Sequence, residues 1–294
     1  MINRIHPAAL LILGSSFLFA SMGALIKTVS PELGNPMVVF FRNAFGLLAL
    51  TPWLWRRRGE GLRSDHLGLH LIRDGAGLAA MACFYYAIPR LELATAMLLN
   101  YSAPLFIPFI AWIWLKERIA PTVALAVPVG FMGLLMILKP TMAMPPPPAL
   151  IGLLSGFLAA VAMAGIRRMA GVEPPLRTVF YFSLFSTLVS GLALPWGWQT
   201  PKGWHWLALL GIGGLAAAAQ MLLTMAYNRA PAAQTGVYTY LAVAFGAIYG
   251  WALWDERPDV WSLLGMGLVI AAAVWTSRLP HPVSVPPQRA LARH

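Results

Sequence analysis

A pattern of 33 residues occurs twice in this chain: Ala87–Ile119 reappears at Ala226–Pro258, shifted by 139 positions. Ala87, Arg90, Ala94, Tyr101, Ala103, Phe106, Trp112, Glu117 and Arg118 match Ala226, Arg229, Ala233, Tyr240, Ala242, Phe245, Trp251, Glu256 and Arg257. Nine identities in one ungapped register exceed what a composition this biased yields by chance. Each copy closes an apolar run on Glu-Arg and is followed by one further apolar run. The chain therefore reads as two similar halves.

The medium these halves fold in follows from charge scarcity. Hydrophobic residues make up 59% of the sequence and charged residues 11%, against about 25% charged in soluble domains. Ten apolar runs, from about 7–27 to about 260–277, approach or reach the length that crosses a bilayer. The expected fold is all-α and integral to the membrane: ten transmembrane helices built from two five-helix repeats. The boundaries read as a first repeat over 1–143, a proline linker over 144–148, a second repeat over 149–278 and a basic, disordered tail over 279–294. Four consecutive prolines, Pro145 to Pro148, suit a semi-rigid spacer. Two similar membrane halves are the usual plan of a secondary transporter, with the substrate site where they meet.

A net charge of +11 raises the question of nucleic acid. The charges lie in short loops between apolar runs, so they read as topology signals and lipid headgroup contacts, not as a nucleic-acid face. With the N-terminus inside, 15 of the 21 Lys and Arg fall in cytoplasmic segments, Arg73 counted among them, and five fall outside. That predicts N-in and C-in. Five spans per half is an odd number, so the second repeat must be inverted. Inverted repeats can exchange conformations and open a central site to alternate sides. The single cysteine, Cys83, excludes a disulfide framework.

Two sets of motifs carry a family resemblance. Asn100-Tyr101-Ser102-Ala103-Pro104, then Leu115-Lys116-Glu117-Arg118 and Gly130-Phe131-Met132-Gly133, resemble the EamA domain of the drug/metabolite transporter superfamily. Tyr238–Ala247, Trp254-Asp255-Glu256-Arg257 and Gly265-Met266-Gly267 resemble a degenerate second copy, with Val243 where the proline would stand. Phe40-Phe41-Arg42-Asn43-Ala44 is similar to the family's second helix. The resemblance covers residues 10 to 277 and extends most nearly to YddG-type bacterial amino-acid exporters. It implies a ten-helix, multi-pass protein of the bacterial inner membrane that exports small metabolites, often amino acids.

Candidate substrate-binding residues are polar groups and polarizable side chains within the spans. Arg42 sits inside the second span, where a lone charge is costly and needs a partner; Arg suits a carboxylate fork. Tyr101 and its repeat partner Tyr240 would approach the centre from opposite halves, and Asn100 and Tyr238 lie beside them. Met81 and Tyr85 share a helical face in span three with Phe84, and Gln220 is a lone amide in span eight. Pro104 and Pro108 remove backbone hydrogen bonds from span four and would loosen it. Glu117-Arg118 and Glu256-Arg257, at opposite membrane faces, read as latches or helix-end anchors, and Lys27 as a topology anchor. Gly152, Gly156, Gly211, Gly214, Gly265 and Gly267 would permit close helix approach.

Every acidic residue falls in a loop or near a span end on this reading. The missing interior carboxylate favours a facilitator over a proton antiporter. No metal motif, HExxH or GxSxG is present, so the sequence calls for no cofactor and no enzyme. The expected function is a monomeric exporter or facilitator of small metabolites, foremost amino acids including aromatic or apolar ones, by alternating access. An exchanger of anionic metabolites, such as sugar nucleotides or organic phosphates, is the alternative; Arg42 alone makes a weak anion clamp.

Overall fold

The structure, a computed structural model, describes residues 7–56, 62–115, 121–138, 146–169, 172–229 and 241–278. Before the proline linker run α1 (Pro7–Val29), α2 (Asn35–Arg56), α3 (Leu67–Ala87), α4 (Leu93–Asn100), α5 (Ala103–Ile110) and α6 (Pro121–Leu138). After it run α7 (Pro147–Met169), α8 (Pro175–Ala193), α9 (His205–Arg229), α10 (Leu241–Trp254) and α11 (Val260–Arg278). The described residues contain no strand. Helices α1, α6, α7 and α8 each open on proline. At that position the missing N–H has no intrahelical acceptor and the fixed φ already suits the helix.

Among the described residues seven helical segments are long and apolar enough to cross a membrane, and three shorter apolar helices join them. Leu48, Leu188, Leu192, Ile113 and Leu253 all stand exposed, which suits hydrocarbon around them and not water. Trp55, Trp196, Trp198, Trp204 and Trp261 are exposed at or beside helix ends, the position of an interfacial aromatic belt.

Helices from the two sides of the linker interlock in reciprocal pairs. α1 packs on α9 as α7 packs on α3; α2 packs on α9 as α8 packs on α3; α1 packs on α10 as α7 packs on α4. α7 also packs on α5, which continues the span that α4 begins, and the pairs α2 with α8, α4 with α10 and α6 with α11 join counterparts directly. Exchanging the two helix series leaves this set of pairings unchanged.

Glycine sets how closely some of these helices approach. A Cβ on Gly133 of α6 would lie 2.6 Å from the carbonyl oxygen of Gly265 on α11, and one on Gly265 would lie 2.6 Å from that of Gly133. Gly152 and Gly156 of α7 take Leu99 and Ser102 in the same way. Two of the expected contact glycines behave otherwise: a Cβ on Gly214 or Gly267 would meet nothing within 4 Å.

The fourth span is not one continuous helix. α4 ends at Asn100 and α5 starts at Ala103. Pro104 has no N–H to donate to the Asn100 carbonyl one turn back, so the ladder breaks there. Beside the break, the Ser102 hydroxyl donates to the Leu99 carbonyl at 2.6 Å. Beyond Pro108 the backbone widens into a π-type turn over Ala111–Leu115. Discontinuous spans of this kind are recurrent at transporter binding sites, where unwound backbone borders a cavity.

Candidate functional site

A cavity of about 140 Å³ lies between the helices of the two series. Its wall takes residues from α1 to α4 on one side and from α7, α8 and α9 on the other. Arg42, Met81, Tyr85, Asn100, Tyr101 and Gln220, six candidates read from the sequence, all line it. Tyr238 and Tyr240 lie outside the described residues, as do Glu117 and Arg118. The side chains of Pro104 and Pro108 also lie outside what is described.

Arg42 anchors the polar end. It starts the third turn of α2 with only 6% of its surface exposed, so it does not snorkel to an interface. Its Nη1 donates to Asn43 Oδ1 at 2.6 Å. Asn43 is itself fully buried and held by the Val39 carbonyl at 2.8 Å. The Tyr85 hydroxyl lines the same cavity and donates to Met22 Sδ at 3.5 Å. Arg42 Nε is buried and meets no acceptor among the described residues. A buried donor without a partner is costly, and it marks a place where an incoming carboxylate would be welcome.

The rest of the wall is soft and apolar. Phe19, Met22, Phe84 and Met97 surround the candidate Met81. Methionine adapts its shape to different occupants and contacts aromatic rings favourably. At the α4–α5 break, Asn100 Nδ2 donates to Ser155 Oγ of α7 at 3.1 Å. That bond holds the edge of the cavity across the two helix series.

Sequence reading missed three residues here and misplaced one charge pair. Asn43 had appeared only as part of a motif, and Phe182 and Gly77 had no signal of their own. Arg73 and Asp74 had been read as loop or span-end charges. Both are buried in α3, with 3% and 1% of their surfaces exposed, and pair at 2.9 Å. Both also fall within the candidate span Leu67–Arg90. An interior carboxylate therefore exists, and the argument for a facilitator from its absence fails. Arg73 lines the cavity. Continuing the Met81–Tyr85 face two turns back lands on Gly77 and Arg73, so helical periodicity held a usable signal.

The latch candidates resolve differently. Arg257 does not pair with Glu256; it pairs with exposed Asp255, Nη2 to Oδ1, at 3.0 Å. Glu256 pairs with Lys27 at the end of α1, and Lys27 is thereby more than a topology anchor. A second buried polar cluster joins α3 to the segment before α8. There Glu173 accepts from Ser64 and Arg177 and approaches His70.

Comparison with known proteins fits this arrangement. The EamA-like transporter family model matches residues 6–139 and again 147–278. The pseudopaline exporter CntI of Pseudomonas aeruginosa is 33% identical over 283 residues, covering 95% of this chain and 98% of that protein. A riboflavin transporter of Brucella anthropi is 25% identical, covering 88% and 94%. An S-adenosylmethionine uptake transporter of Rickettsia felis is 26% identical, covering 85% of each. One solved crystal structure shares the fold at a TM-score of 0.68 and 18% identity, covering 91% of this chain and 94% of its own. A multi-pass chain that matches the family model in both halves, around a shared cavity, is a membrane transporter, and it belongs to the EamA-like transporter family.

Proposed function

We propose that this protein moves small carboxylate-bearing metabolites, foremost amino acids with apolar or aromatic side chains, out of the bacterial cytoplasm across the inner membrane. The observation that carries the reading is Arg42, buried, held by Asn43, and lining a cavity whose wall is rich in Met and Phe. The guanidinium takes the carboxylate and the soft wall takes the side chain. Export agrees with the direction named for the Pseudomonas relative, whereas the Rickettsia relative is named for uptake.

The transport cycle is alternating access around this cavity, by ten spans in two inverted five-helix repeats with both termini inside. The reciprocal helix pairings support it. So does a likeness between the ends of the two lead helices: Lys27 in the last turn of α1 lies 5.5 Å over the Trp254 ring, and Arg168 in the last turn of α7 lies 5.5 Å over Trp114. In an inverted repeat these two ends lie at opposite membrane faces. The Lys27–Glu256 pair then closes the outer face in this conformation.

Counterflow in proteoliposomes tests the reading, with labelled aromatic and aliphatic amino acids, with and without a proton gradient. Exchange of amino acids that is lost in Arg42→Gln supports it. Exchange that needs the gradient assigns proton coupling, for which Asp74 is the interior carboxylate. No movement of any amino acid overturns the substrate class. Arg73 beside Arg42 favours a second reading, exchange of anionic metabolites, and competition by a sugar phosphate would select it.

A further inference from the structure

We propose that Arg73 is a second anion anchor in the cavity and makes the transporter prefer substrates with two acidic groups; this rests on the carboxylate-binding role of Arg42. Both arginines face one ring. Phe182 of α8 has the Arg73 Cζ 4.2 Å from its centroid and the Arg42 Cζ 5.4 Å away. The two guanidiniums therefore stand less than about 10 Å apart, a gap that a molecule with two carboxylates a few carbons apart can bridge.

Charge balance points the same way. Asp74 is the one carboxylate that pairs with either guanidinium among the described residues, and it engages Arg73 through a single bond from Nη1. Two buried cations and one buried anion leave the cavity with an excess positive charge. A zwitterionic amino acid with one carboxylate brings no net charge to offset that excess, whereas one with a second carboxylate brings a single negative charge and does. Arg73 still has donors to offer, since a guanidinium carries five N–H groups and its Nε meets no acceptor among the described residues. A second carboxylate joins Asp74 on that fork, and the nearby Arg42 charge offsets the repulsion between the two.

The fold fixes Arg73 in this position. A Cβ on Gly165 of α7 would lie 2.9 Å from Arg73 Cβ, so α3 and α7 meet where the arginine leaves its helix. The same close approach at Gly77, where a Cβ would lie 3.0 Å from Phe182 Cε2, brings the ring beneath the guanidinium. Three helices, one of them from the first series and two from the second, hold the group against the cavity.

Isosteric acid–amide pairs test this with the full chain in detergent. Equilibrium binding of labelled glutamate against glutamine, and of aspartate against asparagine, isolates the second acidic group. We expect each acid to bind at least about tenfold more tightly than its amide, as a charge-assisted bond implies. In Arg73→Gln/Asp74→Asn, which removes the pair without leaving an unpaired charge, acid and amide should bind alike. Arg73→Lys keeps the charge and should keep the preference. Asp74→Asn should strengthen it, because the competing carboxylate is gone. Melting temperatures in the same detergent confirm that each variant is folded. Equal binding of acid and amide by the unaltered protein overturns the proposal and leaves the function above intact. So does a preference that survives in the double variant, or an Asp74→Asn variant that weakens acid and amide equally. Failure of all four amino acids to bind overturns this proposal; failure of labelled phenylalanine and leucine as well overturns both.

Discussion

Lys27 and Glu256 form an ion pair that ties the end of α1 to the segment between α10 and α11. Each partner does a second job. Lys27 Nζ also donates to the Leu91 carbonyl at 2.6 Å, and Glu256 Oε2 accepts the N–H of Leu93 at 2.8 Å. Leu93 opens α4, so the carboxylate serves as a helix N-terminal acceptor supplied from the other half.

Glu256→Gln keeps the shape and removes the charge from both contacts. It should destabilise the folded protein by about 1–3 kcal/mol, the range of a hydrogen bond to a charged group. Lys27→Met should cost a similar amount, and the double variant less than the two together, since both remove one interaction. Melting of the three variants in detergent checks this. Fully additive losses would mean that the pair is not coupled.

At the cavity, Arg42→Lys is the more informative change than Arg42→Gln. Lysine keeps the charge and loses the planar fork. Counterflow of a transported amino acid should fall by about tenfold or more in Arg42→Gln, and by an intermediate amount in Arg42→Lys. Equal rates in all three forms would place the carboxylate elsewhere.

Asn43→Leu removes the group that receives Arg42 Nη1. The arginine then stays charged with a looser aim, so the apparent KM should rise more than the maximal rate falls. A loss confined to the maximal rate would instead make Asn43 part of the conformational change.

The α6–α11 contact predicts a sharp contrast between two glycines. Gly133→Ala puts a methyl group 2.6 Å from the Gly265 carbonyl and should cost about 1–3 kcal/mol, as overpacking does. Gly267→Ala, with open space around it, should leave the melting temperature unchanged. Equal effects at both positions would refute the crossing.

Much of the site could be read without a structure, for a physical reason. A polar or ionisable residue in the middle of an apolar run has few tolerable places to go, so Arg42, Asn100, Tyr101 and Gln220 stand out by cost alone. Arg73 and Asp74 did not, because they lie near the start of a span, where a charge usually reaches the interface. Their burial comes from α7 and α8, through Gly165 and Phe182, and nothing local announces that. Glu256 stood out as a charge at a span end, but its partner did not, because Lys27 is 229 positions away.

Membrane class, the apolar runs and the two related halves follow from the chain alone, because partition into hydrocarbon is a local property of each run. Which faces of those runs meet is another matter. Lipid is as apolar as leucine, so hydropathy does not choose between one side of such a helix and another. That choice falls to close packing: where glycine lets backbones approach, where proline frees a carbonyl, and which buried charge finds an opposite one. Only the assembled bundle decides those contacts, and they set Arg42 and Arg73 against one ring and Lys27 against Glu256.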